Sequence, residues 1–204
     1  LWRRAEVEVF GRVGLALRES DCLETTGLRI DEVTAHWFAK RPWEGPSPGE
    51  VARQILSRVI ELITHEGQAK EDAARAVHFA RSWGVPVALV SSSPYALLEA
   101  AQARLGIVGC FDVVHSAEDE ALGKPHPGVY LRAAERLGVA PRSCVAMEDS
   151  LNGVIAAKAA RMRCVAVPEA EHQHDPRFVL ADVRLSSLRG FDAALLDRLA
   201  RPSP

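Results

Sequence analysis

CVAMEDSLNG (144–153) runs four mostly apolar residues into two adjacent carboxylates, Glu148 and Asp149, followed by Ser150 and Asn152. A short apolar run bounded by polar residues reads as a buried strand. Asp and Ser favour helix N-caps, so the acids stand where a strand ends and a helix begins. Either Asp149 or Ser150 could serve only as that cap. Yet two neighbouring carboxylates repel and resist burial unless a cation joins them, which favours a functional role for the pair.

The same rhythm extends in both directions. VPVALVSS (85–92), FDVVHS (111–116) and RCVAVP (163–168) are further strand candidates. Pro94 and Pro127 can open helices, and Gly106 and Gly138 can close them. A helix is expected over 151–161, a short edge strand in DVRLSS (182–187) and a last helix in FDAALLDRLA (191–200). Strands at roughly 25–30-residue spacing with helices between them predict βαβ units and a parallel sheet. Strands apolar along their length suit a sheet covered on both faces. The tail RPSP (201–204) is expected to fray.

Before about residue 85 no strand signal occurs. Trp2, Ala5, Val9 and Val13 share one helix face, with Gly14 as its stop. Asp31 is a candidate cap for a helix carrying Val33 and Trp37. Ser47, Pro48 and Glu50 form a helix start signal with a capping box. The stripe Val51, Ile55, Val59, Leu62 and Ile63 follows. The expected organisation is an all-α module over 1–66 and an α/β unit over 67–204.

Bulk properties narrow the function classes. The 204 residues are 48% hydrophobic with a formal net charge of -2, and the charges are scattered, which argues against a nucleic-acid partner. No apolar run approaches the ~18 residues of a membrane span, and no signal peptide is visible. Cys22, Cys110, Cys144 and Cys164 contain no CxxC and read as buried free thiols, so a cytoplasmic location is expected. His172 and His174 lie in a polar loop and read as solvated side chains rather than metal ligands.

Ligands of open parallel sheets bind at the carboxyl ends of the strands. The first such end carries Ser91-Ser92-Ser93 before a helix start, a setting that suits an anion. The second leads to GKPHP (123–127) with Lys124, and the third delivers Glu148 and Asp149. Singly, SSSP is a common cap and Lys124 could be a surface lysine. Together on successive βα units they fit a phosphate ester held with Mg²⁺. That ion takes one or two carboxylates plus phosphate oxygens, and Lys supplies a point charge. Charge stabilisation of this kind is most of what phosphoryl transfer requires.

The order VSSS (90–93), GKPHP, VAMEDSLNGVIAAKAA (145–160) resembles the second to fourth motifs of the haloacid dehalogenase superfamily of phosphatases. The helical module resembles the cap of its β-phosphoglucomutase-like branch. TTGLRIDEVTAHWFAKRPWEGPS (25–47) and DPRFVLADVRLSSL (175–188) resemble the bacterial hexitol phosphatases within it. The resemblance implies a Rossmann-like parallel sheet with an α-helical cap, and Mg²⁺-dependent hydrolysis of a hexitol or hexose 6-phosphate. It implies that Ser91 and Ser92 bind the phosphoryl group and that Lys124 neutralises it and the nucleophile. It also implies that Asp149 ligates Mg²⁺, with Glu148 as ligand or support. Arg29 falls where such a cap reaches the substrate, and a surface salt bridge is its ordinary alternative. A monomer or weak oligomer is expected.

Two departures stand out. That family's first motif, Asp-x-Asp on the central strand, supplies the nucleophile and the general acid/base. No such pair occurs in the 204 residues. The resemblance places it just upstream of Leu1. The sequence is therefore expected to be a truncated, inactive record whose strands at 86–91 and 144–148 face a gap. The Pro-Gly turn that leads back from the cap is replaced by THEGQAKEDAAR (64–75). A non-catalytic sugar-phosphate- or partner-binding form is the alternative, and a phosphomutase of the same fold is a second.

Overall fold

The computed structural model describes residues 1–200, so the tail 201–204 lies outside the described residues. Three helices open the chain: α1 (Trp2–Arg12), α2 (Ile30–Lys40) and α3 (Pro48–Glu66). α3 starts as its sequence demands, with the Ser47 side chain accepting from the Glu50 N–H and the Glu50 carboxylate accepting from the Ser47 N–H at 2.7 Å. Asp31 does not cap α2. Arg29 holds the cap position in an extended conformation, and Glu32 reaches back to accept from its N–H at 3.0 Å. A glutamate three residues into a helix satisfies that donor without any help from Asp31.

Ala5, Val9, Phe10, Val33, Trp37, Val51, Ile55, Val59 and Leu62 form one buried cluster. Leu97 belongs to it too, although it lies on α5 (Tyr95–Leu105), well beyond residue 66. The N-terminal helices therefore share their core with the α/β portion.

α4 (Ala73–Ser82) follows, entered through Asp72 in the left-handed region at φ 65°. The sequence reading did not identify this helix. Its Ala76 and Phe79 pack with Val165, Phe191 and Leu195. Next come β1 (Ala88–Ser91), β2 (Val113–Ser116) and α6 (Gly128–Leu137). β3 (Val145–Glu148), α7 (Leu151–Ala159), β4 (Arg163–Ala166), β5 (Val183–Arg184) and α8 (Ala193–Ala200) complete the order. Gly106 and Gly138 close α5 and α6 at φ 66° and 68°, a conformation that glycine adopts without a Cβ clash.

All pairing is parallel, but in two sheets: β1 with β2, and β3 with β4 and β5. β1 and β3 are not hydrogen-bonded to one another. The expectation of strands buried on both faces therefore holds for β4 and fails for β1, which is half-buried throughout, and for Val145, which is exposed. α6 packs against β1 and β2 and reaches α7, and Tyr130, Val90, Ala146 and Val154 share one apolar cluster across the division. Among the described residues no helix is long and apolar enough to cross a membrane.

Leu97 is 4% exposed, so Leu97→Ala leaves a cavity expected to lower stability by about 3 kcal/mol. Because that side chain joins the N-terminal helices to α5, urea unfolding should remain a single transition. A separate early transition would mean that the helical module unfolds alone.

Candidate active site

The register sets Ser91 beside Ser116 at one strand end, and Glu148 beside Ala166 at another. Both ends open on a cleft of about 470 Å³. Its lining includes Ser91, Ser92, Lys124, Glu148 and Asp149 from the strand ends, and Arg3, Glu6, Thr26 and Gly27 from the N-terminal portion. Five of the residues singled out from sequence thus meet in one place.

Lys124 and Glu148 are buried and ion-paired, and the Tyr130 hydroxyl donates to the same Glu148 oxygen. The Lys124 ammonium also lies 4.9 Å from the Tyr130 ring centroid. Ser150 Oγ donates to the other Glu148 oxygen at 3.2 Å, and accepts from the Gly153 N–H at 3.1 Å. Ser150 is thus the cap of α7, which leaves Asp149 free of that structural duty. Burial, then the Glu148 charge, push the Tyr130 phenol well above its ordinary value, so it stays a donor.

Asp149 differs sharply from its neighbour. Its side chain is more than half exposed, with Lys70 Nζ at 3.5 Å. Desolvation by the surrounding protein, although water still reaches the carboxylate, and the adjacent Glu148 charge raise its pKa, while Lys70 and Lys124 act in the opposite direction. Lys70 lies in the connection from α3 to α4, in the stretch whose turn chemistry was unusual, and no sequence signal marked it.

The serines divide their work. Ser91 Oγ accepts from the Ser93 N–H at 3.0 Å and keeps its own proton for a ligand. Ser92 Oγ donates to the Gly27 carbonyl at 3.0 Å, so its hydroxyl is committed. Asn152 Nδ2 donates to the Thr26 carbonyl at 3.2 Å, and the Gly123 N–H donates to Glu32 Oε1 at 3.2 Å. Gly27 itself has φ 86°, and a Cβ there would stand 2.8 Å from Ser150 Oγ. The loop over the site thus requires glycine on two independent grounds.

Arg29 does not line the cleft. Its guanidinium donates to the carbonyls of Glu120 at 2.7 Å and Ala117 at 3.3 Å, and pairs with Asp31 at 2.8 Å. It bridges the N-terminal helices to the loop after β2, a role beyond the surface salt bridge considered from sequence. Gly153 and Tyr130 were not singled out for the site either. A Cβ on Gly153 would strike the Glu148 carboxylate.

Glu148 and Asp149 offer two hard oxygen donors beside a lysine and a serine, a set that suits Mg²⁺ shared with a phosphate and water. Asp149 is the accessible member, whereas Glu148 is already held by Lys124, Tyr130 and Ser150. Among the described residues no group of three or more His, Cys, Asp and Glu side chains is poised to hold a metal alone.

A protein-family model for haloacid dehalogenase-like hydrolases matches residues 7–161. The chain is 46% identical over 189 residues to hexitol phosphatase B of Escherichia coli (strain K12), covering 92% of this chain and 85% of that protein. The crystal structure of CbbY from Rhodobacter sphaeroides in complex with phosphate superposes with a TM-score of 0.85 at 29% identity, covering 96% of this chain and 91% of that one. β-Phosphoglucomutase from Clostridium difficile shares the fold at 20% identity, with a TM-score of 0.81 over 98% of this chain and 89% of that one.

Two measurements check this geometry. Lys124→Met leaves Glu148 buried without its cation and should lower stability by roughly 3–5 kcal/mol in urea unfolding. Adding Glu148→Gln should recover part of that loss. Glu6, which lines the same cleft, is raised by burial from 4.5 to about 7. The folded chain then holds a proton that the unfolded chain releases above pH 4.5. This stability is therefore present below pH 4.5 and lost as pH rises to about 7, a fall of ~3 kcal/mol that Glu6→Gln should remove.

Proposed function

The chain belongs to the haloacid dehalogenase-like hydrolase family, and from that premise we propose that it is built for Mg²⁺-assisted hydrolysis of a hexitol or hexose 6-phosphate. The observation that carries this reading is the meeting of Ser91, Lys124 and Asp149 at the strand ends of one cleft. A phosphoryl group seated there receives a hydrogen bond from Ser91 Oγ and faces the Lys124 ammonium, which Glu148 and Tyr130 hold in place. Electrostatic stabilisation by such fixed groups in a water-poor site is the main requirement of phosphoryl transfer. Asp149 is the residue that would hold Mg²⁺, with Glu148 as its support, and the ion would neutralise phosphoryl charge. The helices over 1–66 act as a cap that closes the cleft through Ser92, Asn152, Glu32 and Arg29.

Similarity at 46% to a hexitol phosphatase, against 20% to a mutase, favours hydrolysis over phosphoryl exchange. The 204 residues contain no Asp-x-Asp pair. The reading therefore assigns ester binding to these 204 residues, and no nucleophile of the Asp-x-Asp form is among them. The resemblance to the haloacid dehalogenase superfamily implies an aspartate in the role of nucleophile.

Calorimetry with a hexitol 6-phosphate and Mg²⁺ tests the binding half. Binding is expected, with Asp149→Asn reducing the gain from Mg²⁺ about tenfold or more. A phosphate-release assay tests the other half: the 204-residue chain should bind without releasing phosphate. Turnover by it that survives Asp149→Asn would sink the assignment of roles.

A further inference from the structure

Glu6 is a buried carboxyl group with one oxygen left over. It lies on α1, is 7% exposed and lines the same cleft as Ser91 and Asp149. Its Oε2 is buried with no hydrogen-bond partner among the described residues. The nearby Cys22 thiol, which also reaches the Arg18 carbonyl at 3.7 Å, is only a weak donor to this carboxyl and lowers its pKa only in part. Arg3 stands one turn away and lowers the Glu6 pKa only partly, because its guanidinium pairs with Glu169 and Glu171. Apolar neighbours on the same face, Ala5, Val9 and Phe10, cannot satisfy a carboxyl either.

A buried oxygen left without a partner is penalised relative to any apolar residue at that place. Such a group is tolerated where a ligand supplies the missing hydrogen bond. The cleft volume of about 470 Å³ falls within the usual range of small-molecule sites. A ligand whose phosphate sits at Ser91 and Lys124 shares that cleft with Glu6.

We infer that Glu6 is a specificity-determining residue that hydrogen-bonds a hydroxyl of the ester's polyol tail. This rests on the phosphate-ester reading above. The carboxyl accepts from a hydroxyl when ionised and can donate to one when protonated, so either state serves at neutral pH. The selection is for hydroxyl-bearing tails against alkyl or aryl ones, because an apolar tail would leave Oε2 unpaired in the closed cleft.

Calorimetry on the 204-residue chain with Mg²⁺ compares a hexitol 6-phosphate with inorganic phosphate. Glu6→Leu is expected to weaken the hexitol ester about 10- to 100-fold and to leave inorganic phosphate unchanged. Glu6→Gln, which keeps a donor and an acceptor, should lose much less. Deoxy esters of the same length probe the unaltered protein, and one of them should show the same loss as Glu6→Leu. The inference is overturned if Glu6→Leu weakens both ligands alike or neither, or if every deoxy ester binds as the parent does. Wild-type binding of phosphate without tighter binding of the hexitol ester overturns it while leaving the phosphoryl site intact. Wild-type failure to bind either ligand removes the phosphate-ester reading as well.

Discussion

The buried Lys124–Glu148 pair is the contact on which the rest of the molecule depends. Lys124 comes from the loop after β2, and Glu148 ends β3, so one ion pair ties two sheets that share no hydrogen bonds. Two charges taken out of water repay their desolvation only when their remaining lone pairs and protons are satisfied. Tyr130 and Ser150 do this for Glu148, and the Tyr130 ring adds a cation–π contact to Lys124. Gly153 is the space that lets the carboxylate sit there at all. A pair of this kind is weak evidence for net stability and good evidence for a fixed geometry, since removing either partner strands the other.

Closure of the cleft follows from a second set of polar contacts. Ser92 to Gly27, Asn152 to Thr26, Gly123 to Glu32, and Arg29 to Glu120 all join the N-terminal portion to the strand ends and the segments that follow them. Each is partly buried, so each is worth more than a solvated hydrogen bond. None belongs to the apolar core, where Leu97 makes the corresponding connection. The helices are thus attached through Leu97 at α5 and by hydrogen bonds at the mouth.

Much of this was legible in the sequence, for identifiable reasons. The strand ends carrying Ser91, Lys124 and Asp149 could be read because parallel-sheet connections force ligand groups to the same edge. Ser47 and Glu50 were readable because a capping box is local. Asp31 misled because Asp is a good cap by composition, while Glu32 won by reaching back to Arg29. α4 was missed because its pattern follows directly on a polar, turn-rich connection and its partners, Val165 and Phe191, lie far along the chain. Lys70, Tyr130, Gly153 and Glu6 stayed hidden for one shared reason. Their significance lies in what they face across the fold, and no spacing rule encodes that.

The charge pattern at the core end of the cleft gives a physical reason for a divalent cation. Lys124 is paired with Glu148, and Lys70 stands by Asp149. Those four groups sum to no net charge, so a phosphate dianion arriving there finds its positive partners already occupied. An exposed carboxylate within the same cleft would repel it. A doubly charged cation held by Asp149 would reverse both effects, pairing the carboxylate and offsetting the dianion together. In the recess formed by the closed N-terminal helices, where water screens poorly, that compensation weighs more than it would at an open surface. Glu148 would then matter less as a ligand than as the group that keeps Lys124 in place.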